Sequence, residues 1–531
     1  MSLIALRNLR CSIDDDAVLR GVDLTIAPGE IVGLVGESGS GKSMTALAIV
    51  GLLPDQARTT GHIIFDGRDL CACDEATLCH LRGGEIGLVF QEPMTALNPL
   101  QPVGEQIAEV FMLHDKMTHA DALDRARTLM DRVGLKDIPA TRYPHELSGG
   151  QRQRVVIAMA VACRPKLIIA DEPTSALDVT TQAQILAMLK ELAVENKAAL
   201  LLISHDLAIV ASMADRIAVM KDGAIVETGE AASFFGSMQH PYSRALYEAS
   251  IHRPRRAAAP PQTPFFIAQD CTRLYRKARL FRPAETLRGI EAVSLTVARG
   301  ESVGLVGESG SGKSTLARAL LGLDPLHSGT LILDGVPLKL DQSSDRRHLR
   351  RKVQLVFQDP YASFDPRRAI GWSIAEPLAL LDAPPSLAAQ SEMVAELLRQ
   401  VGLSSDFATR YPHQMSGGQR QRAALARALI IQPELVVLDE PVSALDVSVR
   451  AQVLDLLAVL QEKTGVAYLL ITHDLSLLRA VTDRVLVMEK GRIVEQGQTD
   501  HILAKPENAY TRSLIAAAPD LAAIVAARRS A

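Results

Sequence analysis

Val32-Gly33-Leu34-Val35-Gly36-Glu37-Ser38-Gly39-Ser40-Gly41-Lys42-Ser43 is a twelve-residue string that the chain repeats, letter for letter, from Val303 to Ser314. In each copy the glycines let the backbone wrap around phosphate oxygens and present N–H groups at the start of a helix, whose dipole favours an anion. Lys42 and Lys313 add a point charge for the outer phosphates, and the hydroxyls of Ser43 and Ser314 suit Mg²⁺. Upstream, the apolar runs Ile31 to Val35 and Ser302 to Val306 predict strands buried on both faces. Downstream, Met44 to Leu52 and Thr315 to Leu321 predict helices. Strand, loop and helix together predict two nucleotide sites. Their phosphate contacts are Gly36, Ser38, Gly39, Ser40, Gly41, Lys42, Ser43 and Met44, and then Gly307, Ser309, Gly310, Ser311, Gly312, Lys313, Ser314 and Thr315.

A chain of 531 residues exceeds what one core supports, and the duplication divides it into two α/β domains. The stretch Arg253 to Pro264, rich in proline and small residues, predicts an extended, solvated linker. The expected boundaries are 1–250, a linker at 251–266, and 267–531 for the second domain with its C-terminal extension. A formal net charge of −4 and 4% aromatic residues argue against a nucleic-acid groove. Six cysteines without a regular framework fit a reducing compartment. Cys71, Cys73, Cys79 and His80 lack paired metal-ligand spacing, and Asp74 to Leu81 reads instead as a short surface helix. Neither a membrane-spanning run nor a signal peptide is expected, so membrane association must come through a partner.

Working outward from the loops, every element has a counterpart. Val89-Phe90-Gln91-Glu92-Pro93 answers Val356-Phe357-Gln358-Asp359-Pro360, and Leu147-Ser148-Gly149-Gly150-Gln151 answers Met415-Ser416-Gly417-Gly418-Gln419. The apolar runs before Asp171-Glu172-Pro173 and Asp439-Glu440-Pro441 predict buried strands that deliver two acids at their carboxyl ends, where ligands of parallel sheets bind. Strands ending in Ser204-His205-Asp206 and Thr472-His473-Asp474 follow. Asp171 and Asp439 suit Mg²⁺, while Glu172 and Glu440 are placed to orient or deprotonate water. Ser148 and Ser416 precede proline-free stretches, Gln151 to Ala162 and Gln419 to Ile430, that predict helices with anion-binding N-termini.

Phosphate loop, glutamine loop, Ser-Gly-Gly-Gln signature, paired acids and terminal histidine together resemble the ATP-binding subunits of ABC transporters, twice over and across nearly the whole chain. The resemblance implies two tandem P-loop ABC ATPase domains, each with a RecA-like core, an antiparallel β subdomain and a helical subdomain. It implies head-to-tail pairing of the domains within one chain, so that each ATP lies between a phosphate loop and the opposite signature. Gly36 to Ser43, Asp171 and Glu172 would then meet Ser416, Gly418 and Gln419; Gly307 to Ser314, Asp439 and Glu440 would meet Ser148, Gly150 and Gln151. His205 and His473 would contact the γ-phosphate, Gln91 and Gln358 would sense it, and Mg²⁺ would be held by Ser43, Gln91 and Asp171 or by Ser314, Gln358 and Asp439. Tyr275 falls where the family stacks a ring on adenine, whereas the first domain offers Ile13. No catalytic group is missing from either copy, so two hydrolytic sites are expected.

The segments around Gln91 and Gln358, with His240-Pro241-Tyr242-Ser243-Arg244-Ala245-Leu246 and Asn508-Ala509-Tyr510-Thr511-Arg512-Ser513-Leu514, look like the peptide and nickel importer subfamily. The fused arrangement resembles oligopeptide and glutathione importers of bacteria. That implies two transmembrane permease subunits, an external substrate-binding protein, and a place on the cytoplasmic face of the inner membrane, with peptide as first substrate and nickel or glutathione as alternatives. Coupling to the permeases is expected through Val103 to Val110 and Ile370 to Leu378. No iron–sulfur cluster is expected, since no cysteine follows Cys271. A soluble tandem ATPase acting on ribosomes is the competing class, but its long charged arm between domains has no counterpart here.

Overall fold

The computed structural model describes residues 2–530 apart from 91, 176, 257–262, 280–281, 360–362 and 443–444; side chains at 276–279, 282–287 and 529–530 also fall outside the description. Two compact units divide the chain, Met1–Ile251 with Pro519–Ala531, and His252–Ala518.

The strands of the first unit are β1 (Ile4–Ile13), β2 (Asp16–Ile26), β3 (Ile31–Val35), β4 (Ala57–Phe65), β5 (Arg68–Asp69), β6 (Ile86–Val89), β7 (Leu167–Asp171), β8 (Ala199–Ser204), β9 (Arg216–Lys221) and β10 (Ala224–Glu230). They form an antiparallel sheet in the order β2-β1-β4-β5 and a six-stranded sheet in the order β10-β9-β3-β8-β7-β6. The second sheet is parallel except for its β9–β10 edge. β3, β7 and β8 are buried along their whole length, as expected of strands covered on both faces. Leu6, Leu9, Leu24 and Phe65 of the antiparallel sheet share one core with Leu34, Leu201 and Ile203 of the parallel sheet. Helices Val103–His114, His119–Arg132 and Gly149–Val161 pack together as the helical subdomain.

The second unit repeats this plan with β11 (Pro264–Arg279), β12 (Arg282–Ala298), β13 (Ser302–Val306), β14 (Ser328–Leu333), β15 (Val336–Pro337), β16 (Val353–Val356), β17 (Leu435–Asp439), β18 (Ala467–Thr472), β19 (Arg484–Glu489) and β20 (Arg492–Gln498). Its sheets run β12-β11-β14-β15 and β16-β17-β18-β13-β19-β20, the same order element for element. Two local differences have physical causes. The first helix of the helical subdomain is Ile370–Ala375, because Pro377 removes a helix donor and the chain continues as a 3₁₀ turn over Glu376–Leu380. The β11–β12 hairpin is longer than β1–β2: Ile13 pairs with Asp16 at the turn, whereas Tyr275 pairs with Leu287.

Two segments lie differently from the sequence expectation. In the linker, Arg256 is not solvated: its side chain is 12% exposed and donates to the Val481 carbonyl and the Asp483 carboxylate, while His252 Nε2 lies 2.8 Å from Asp455 Oδ1. The charge-assisted bonds to two acceptors offset the desolvation of the guanidinium. The C-terminal extension, grouped by sequence with the repeat it follows, packs instead in the first unit. Its helix Leu521–Ser530 buries Leu521 and Val525 against helices Leu207–Met213 and Ala231–Ser237, and Arg528 donates to the Ala214 carbonyl at 3.2 Å.

Candidate functional site

Both phosphate loops sit as the strand–loop–helix pattern requires, between β3 and helix Lys42–Ile49 and between β13 and helix Lys313–Leu320. Gly41 and Gly312 precede these helices at φ of 103° and 108°, a conformation that side chains rarely adopt. Lys42 and Lys313 are buried, and each ammonium donates back into its own loop: Lys42 Nζ to the Gly36 and Glu37 carbonyls at 2.9 and 2.8 Å, Lys313 Nζ to those of Gly307 and Glu308 at 2.7 and 2.8 Å. Ser40 and Ser311 each bury a hydroxyl without a hydrogen-bond partner. Ser38, Gly39, Ser309 and Gly310 form the exposed rim, and Met44 turns its side chain into the core.

The paired acids end β7 and β17. Asp171 and Asp439 are each 8% exposed, and burial pushes their carboxyl pKa up, opposed by the hydrogen bonds of Ser43 and Ser314 and by the charge of Lys42 and Lys313. Asp171 Oδ1 is buried without a partner. An orphaned carboxylate oxygen beside a serine hydroxyl is a fitting donor set for a hard divalent cation. Glu172 and Glu440 turn out of the strand at φ of 45° and 47°, and the histidine from the next strand end meets each one: His205 Nδ1 lies 2.9 Å from Glu172 Oε1, His473 Nδ1 3.0 Å from Glu440 Oε1. Gln358 Nε2 donates to Glu440 Oε2 at 2.8 Å. The hydrogen bond to Glu440 raises the pKa of His473 against an opposing desolvation. Gln91 lies outside the described residues.

The signatures begin helices Gly149–Val161 and Gly417–Leu429, two residues earlier than the sequence predicted. Ser148 and Ser416 are their caps, and both are tied in a reciprocal box: Ser148 Oγ accepts the Gln151 N–H at 3.3 Å while Gln151 Oε1 accepts the Ser148 N–H at 2.9 Å, and Ser416 and Gln419 repeat both distances. The side chains of Ser148 and Gln151 therefore first hold the helix start.

Tyr275 occupies the strand position equivalent to Ile13, since Ile4 pairs with Phe65 as Phe266 pairs with Leu333, and Arg10 with Thr60 as Thr272 with Ser328. Its hydroxyl lies near Thr315 Oγ1, at 3.5 Å, and Asp324 Oδ2, at 3.2 Å, and Arg273 stands over its ring. Glu37 and Glu308, absent from the sequence-based site, take part through their backbone carbonyls and N–H groups, which leave no side-chain signature. The proposed coupling segments are mostly core: Val103, Ile107, Ala108, Ile370, Ile374 and Leu378 are buried, while Trp372 within the second segment and Leu100 just before the first are exposed.

The ABC transporter family model matches residues 19–175 and 290–443, and the model of the oligopeptide/dipeptide transporter C-terminal region matches 226–264 and 494–528. The chain is 45% identical over 515 residues to the peptidoglycan transport ATP-binding protein YejF of Agrobacterium fabrum, covering 95% of this chain and 93% of that protein. It is 43% identical to the glutathione import ATP-binding protein GsiA of Salmonella choleraesuis, covering 95% and 86%. A solved ATP-binding cassette in a dimeric post-hydrolysis state with ADP and Pi is 27% identical, covering 44% of this chain and 98% of that one at a TM-score of 0.40. The chain belongs to the ATP-binding proteins of ABC transporters, as a tandem-cassette member of the peptide and glutathione importer subfamily, and is a transport-coupled ATPase.

Proposed function

We propose that this chain is the motor of a bacterial oligopeptide or dipeptide importer, hydrolysing ATP at two composite sites. The observation that carries the reading is the pairing, in each half, of a complete acid–histidine cluster behind a phosphate loop with a C-terminal region of the oligopeptide/dipeptide transporter type. In the proposed assembly the halves pair head to tail, and the first-turn N–H groups of Gly149, Gly150, Gly417 and Gly418, which have no i−4 carbonyl, face the nucleotide of the opposite loop.

Ser43 with Asp171, and Ser314 with Asp439, would hold Mg²⁺, Gln91 and Gln358 completing each set. Bound there, the ion neutralises charge on the outer phosphates. Lys42 and Lys313 exchange their loop carbonyls for phosphate oxygens when ATP enters. Glu172 and Glu440 orient the attacking water and take up its proton, and His205 and His473 fix the rotamer of that carboxylate through the 2.9 and 3.0 Å contacts. Closure on ATP and reopening after phosphate release would drive two permease subunits supplied with substrate by an external binding protein. Exposed Trp372, within the second coupling segment, and Leu100, just before the first, suit permease contact better than the buried residues of those segments do. Among the described residues no helix is long and apolar enough to cross a membrane. In the proposed assembly the permeases hold the motor at the cytoplasmic face.

Glutathione is the second substrate reading, favoured by the likeness to GsiA. Purification of the intact assembly from membranes, followed by mass spectrometry of the ligand on its binding protein, tests both. Copurification with ribosomal subunits in place of permeases would overturn the importer reading.

A further inference from the structure

His240-Pro241-Tyr242-Ser243-Arg244 and its counterpart Asn508-Ala509-Tyr510-Thr511-Arg512 take no part in the chemistry above, yet both reach the phosphate loops. The Tyr242 phenol oxygen accepts the N–H of Glu37 at 3.1 Å, across 205 residues of chain, and the Tyr510 oxygen accepts that of Glu308 at 2.9 Å across 202. The carbonyls of these same glutamates accept Lys42 and Lys313. One loop residue in each unit is thus gripped at its N–H by a tyrosine and at its carbonyl by the phosphate-binding lysine.

The rest of each motif holds the tyrosine in place. Glu227 of β10 accepts the N–H groups of Gln239 and His240 at 2.5 and 3.2 Å, and Glu495 of β20 accepts those of Glu507 and Asn508 at 2.7 and 3.2 Å. His240 Nδ1 caps helix Pro241–Ser250 by accepting the Tyr242 N–H at 3.2 Å; Asn508 Oδ1 does the same for Tyr510 at 2.8 Å. Arg244 donates to the Met238 and Gln239 carbonyls, and Arg512 to those of Pro506 and Glu507. Lys221 stands 5.0 Å over the Tyr242 ring. Histidine and asparagine make the same cap contact in the two units, so the second motif departs from the first at that position while both keep the tyrosine.

We infer that Tyr242 and Tyr510 are positioning residues for ATP binding, pinning the entry of each phosphate loop from the C-terminal region. When the lysine leaves the Glu37 or Glu308 carbonyl for phosphate, the N–H of Ser40 or Ser311 still meets that carbonyl, and the tyrosine still ties the N–H of the same residue to the C-terminal region, so the loop keeps its shape as ATP enters. This rests on the reading of these loops as the nucleotide sites. A net hydrogen bond of ordinary strength corresponds to about a two- to tenfold change in affinity.

The test uses the full chain and Mg·ATP. In the Tyr242→Phe/Tyr510→Phe double variant, ATP affinity should fall about two- to tenfold, KM should rise with kcat within about twofold, and the loop peptides at 31–41 and 302–312 should exchange their amide hydrogens faster. His240→Asn should retain wild-type KM, since asparagine caps the helix as in the second unit, whereas His240→Ala should raise it. A double variant with lowered melting temperature but unchanged KM and loop exchange overturns the tether while leaving the nucleotide sites standing. A wild-type chain that binds no ATP overturns the site reading and the tether with it.

Discussion

Gly150 of the first signature packs so tightly that a methyl group there has nowhere to go. A Cβ built on it stands 2.5 Å from Thr181 Cγ2, against ordinary van der Waals contact at 3.4–4 Å, so Gly150→Ala must part the two helix starts by roughly 1 Å. Thr181 cannot rotate away cheaply. Its hydroxyl donates to Asp178 Oδ2 at 3.0 Å and its N–H to Asp178 Oδ1 at 3.0 Å, at the cap of helix Val179–Glu195. Overpacking of this kind costs about 1–3 kcal/mol, or about 2–10 °C of melting temperature for a unit of this size. Thr181→Ser deletes the clashing methyl and keeps the hydroxyl, so Gly150→Ala/Thr181→Ser should recover most of the loss. Differential scanning calorimetry of the four chains gives the coupling directly. At the matching position, a Cβ on Gly418 would stand 2.6 Å from Val449 Cγ1, so Val449→Ala should rescue Gly418→Ala. An unchanged melting temperature in Gly150→Ala, or a double variant as unstable as the single, would refute the reasoning.

Removing one acid at a time tests whether the two proposed sites hydrolyse independently. Glu172→Gln or Glu440→Gln should slow single-turnover hydrolysis about 10²–10⁴-fold at its own site, and the fast phase of the intact site should persist in each single variant and disappear only in the double variant; complete loss in either single variant contradicts independent competence. The raised pKa of His473 makes its contact with Glu440 a pH-dependent source of stability. A raised folded value means that the contribution is full below the ordinary histidine pKa and is lost as pH rises through the folded one. The stability difference between wild type and Glu440→Gln should therefore shrink from pH 5.5 towards alkaline pH, and a difference that grows across that range contradicts the assignment. Tyr275→Ala should weaken ATP binding in the second unit by about 1–3 kcal/mol if its ring stacks on adenine, read by calorimetry with the first site blocked by Lys42→Ala; equal affinity removes the stacking role.

What the sequence makes legible here is what is local in the chain. The phosphate loops and the Ser148–Gln151 and Ser416–Gln419 boxes are set by residues within a few positions of each other, so their letters suffice. Strand ends are almost as readable, because burial of β7 and β17 on both faces forces a continuous apolar run up to the acids. Contacts that cross the fold leave no such trace: Tyr242 to Glu37 acts through a backbone N–H, and the seat of Arg256 on Val481 and Asp483 is fixed only once the second unit has folded. The C-terminal helix is a further case, since an apolar stripe states that it is buried and not against which unit.

The paired acids show how a local reading becomes mechanism only through geometry. In a continuing strand, neighbours such as Asp171 and Glu172 would point to opposite faces. Asp171 remains the last strand residue and turns its carboxylate inward beside Ser43 and Lys42, while the chain breaks its pleat at Glu172, where φ is 45°. That left-handed turn is uncommon for a glutamate and costs of order 1 kcal/mol, and it carries the second carboxylate to His205 on the neighbouring strand end. Glu440 repeats the turn at 47° and meets His473 and Gln358. Two adjacent acids of one chemical type are aimed at different partners because the backbone twists between them, Asp171 and Asp439 towards the phosphate-loop serine and lysine, Glu172 and Glu440 towards the histidine.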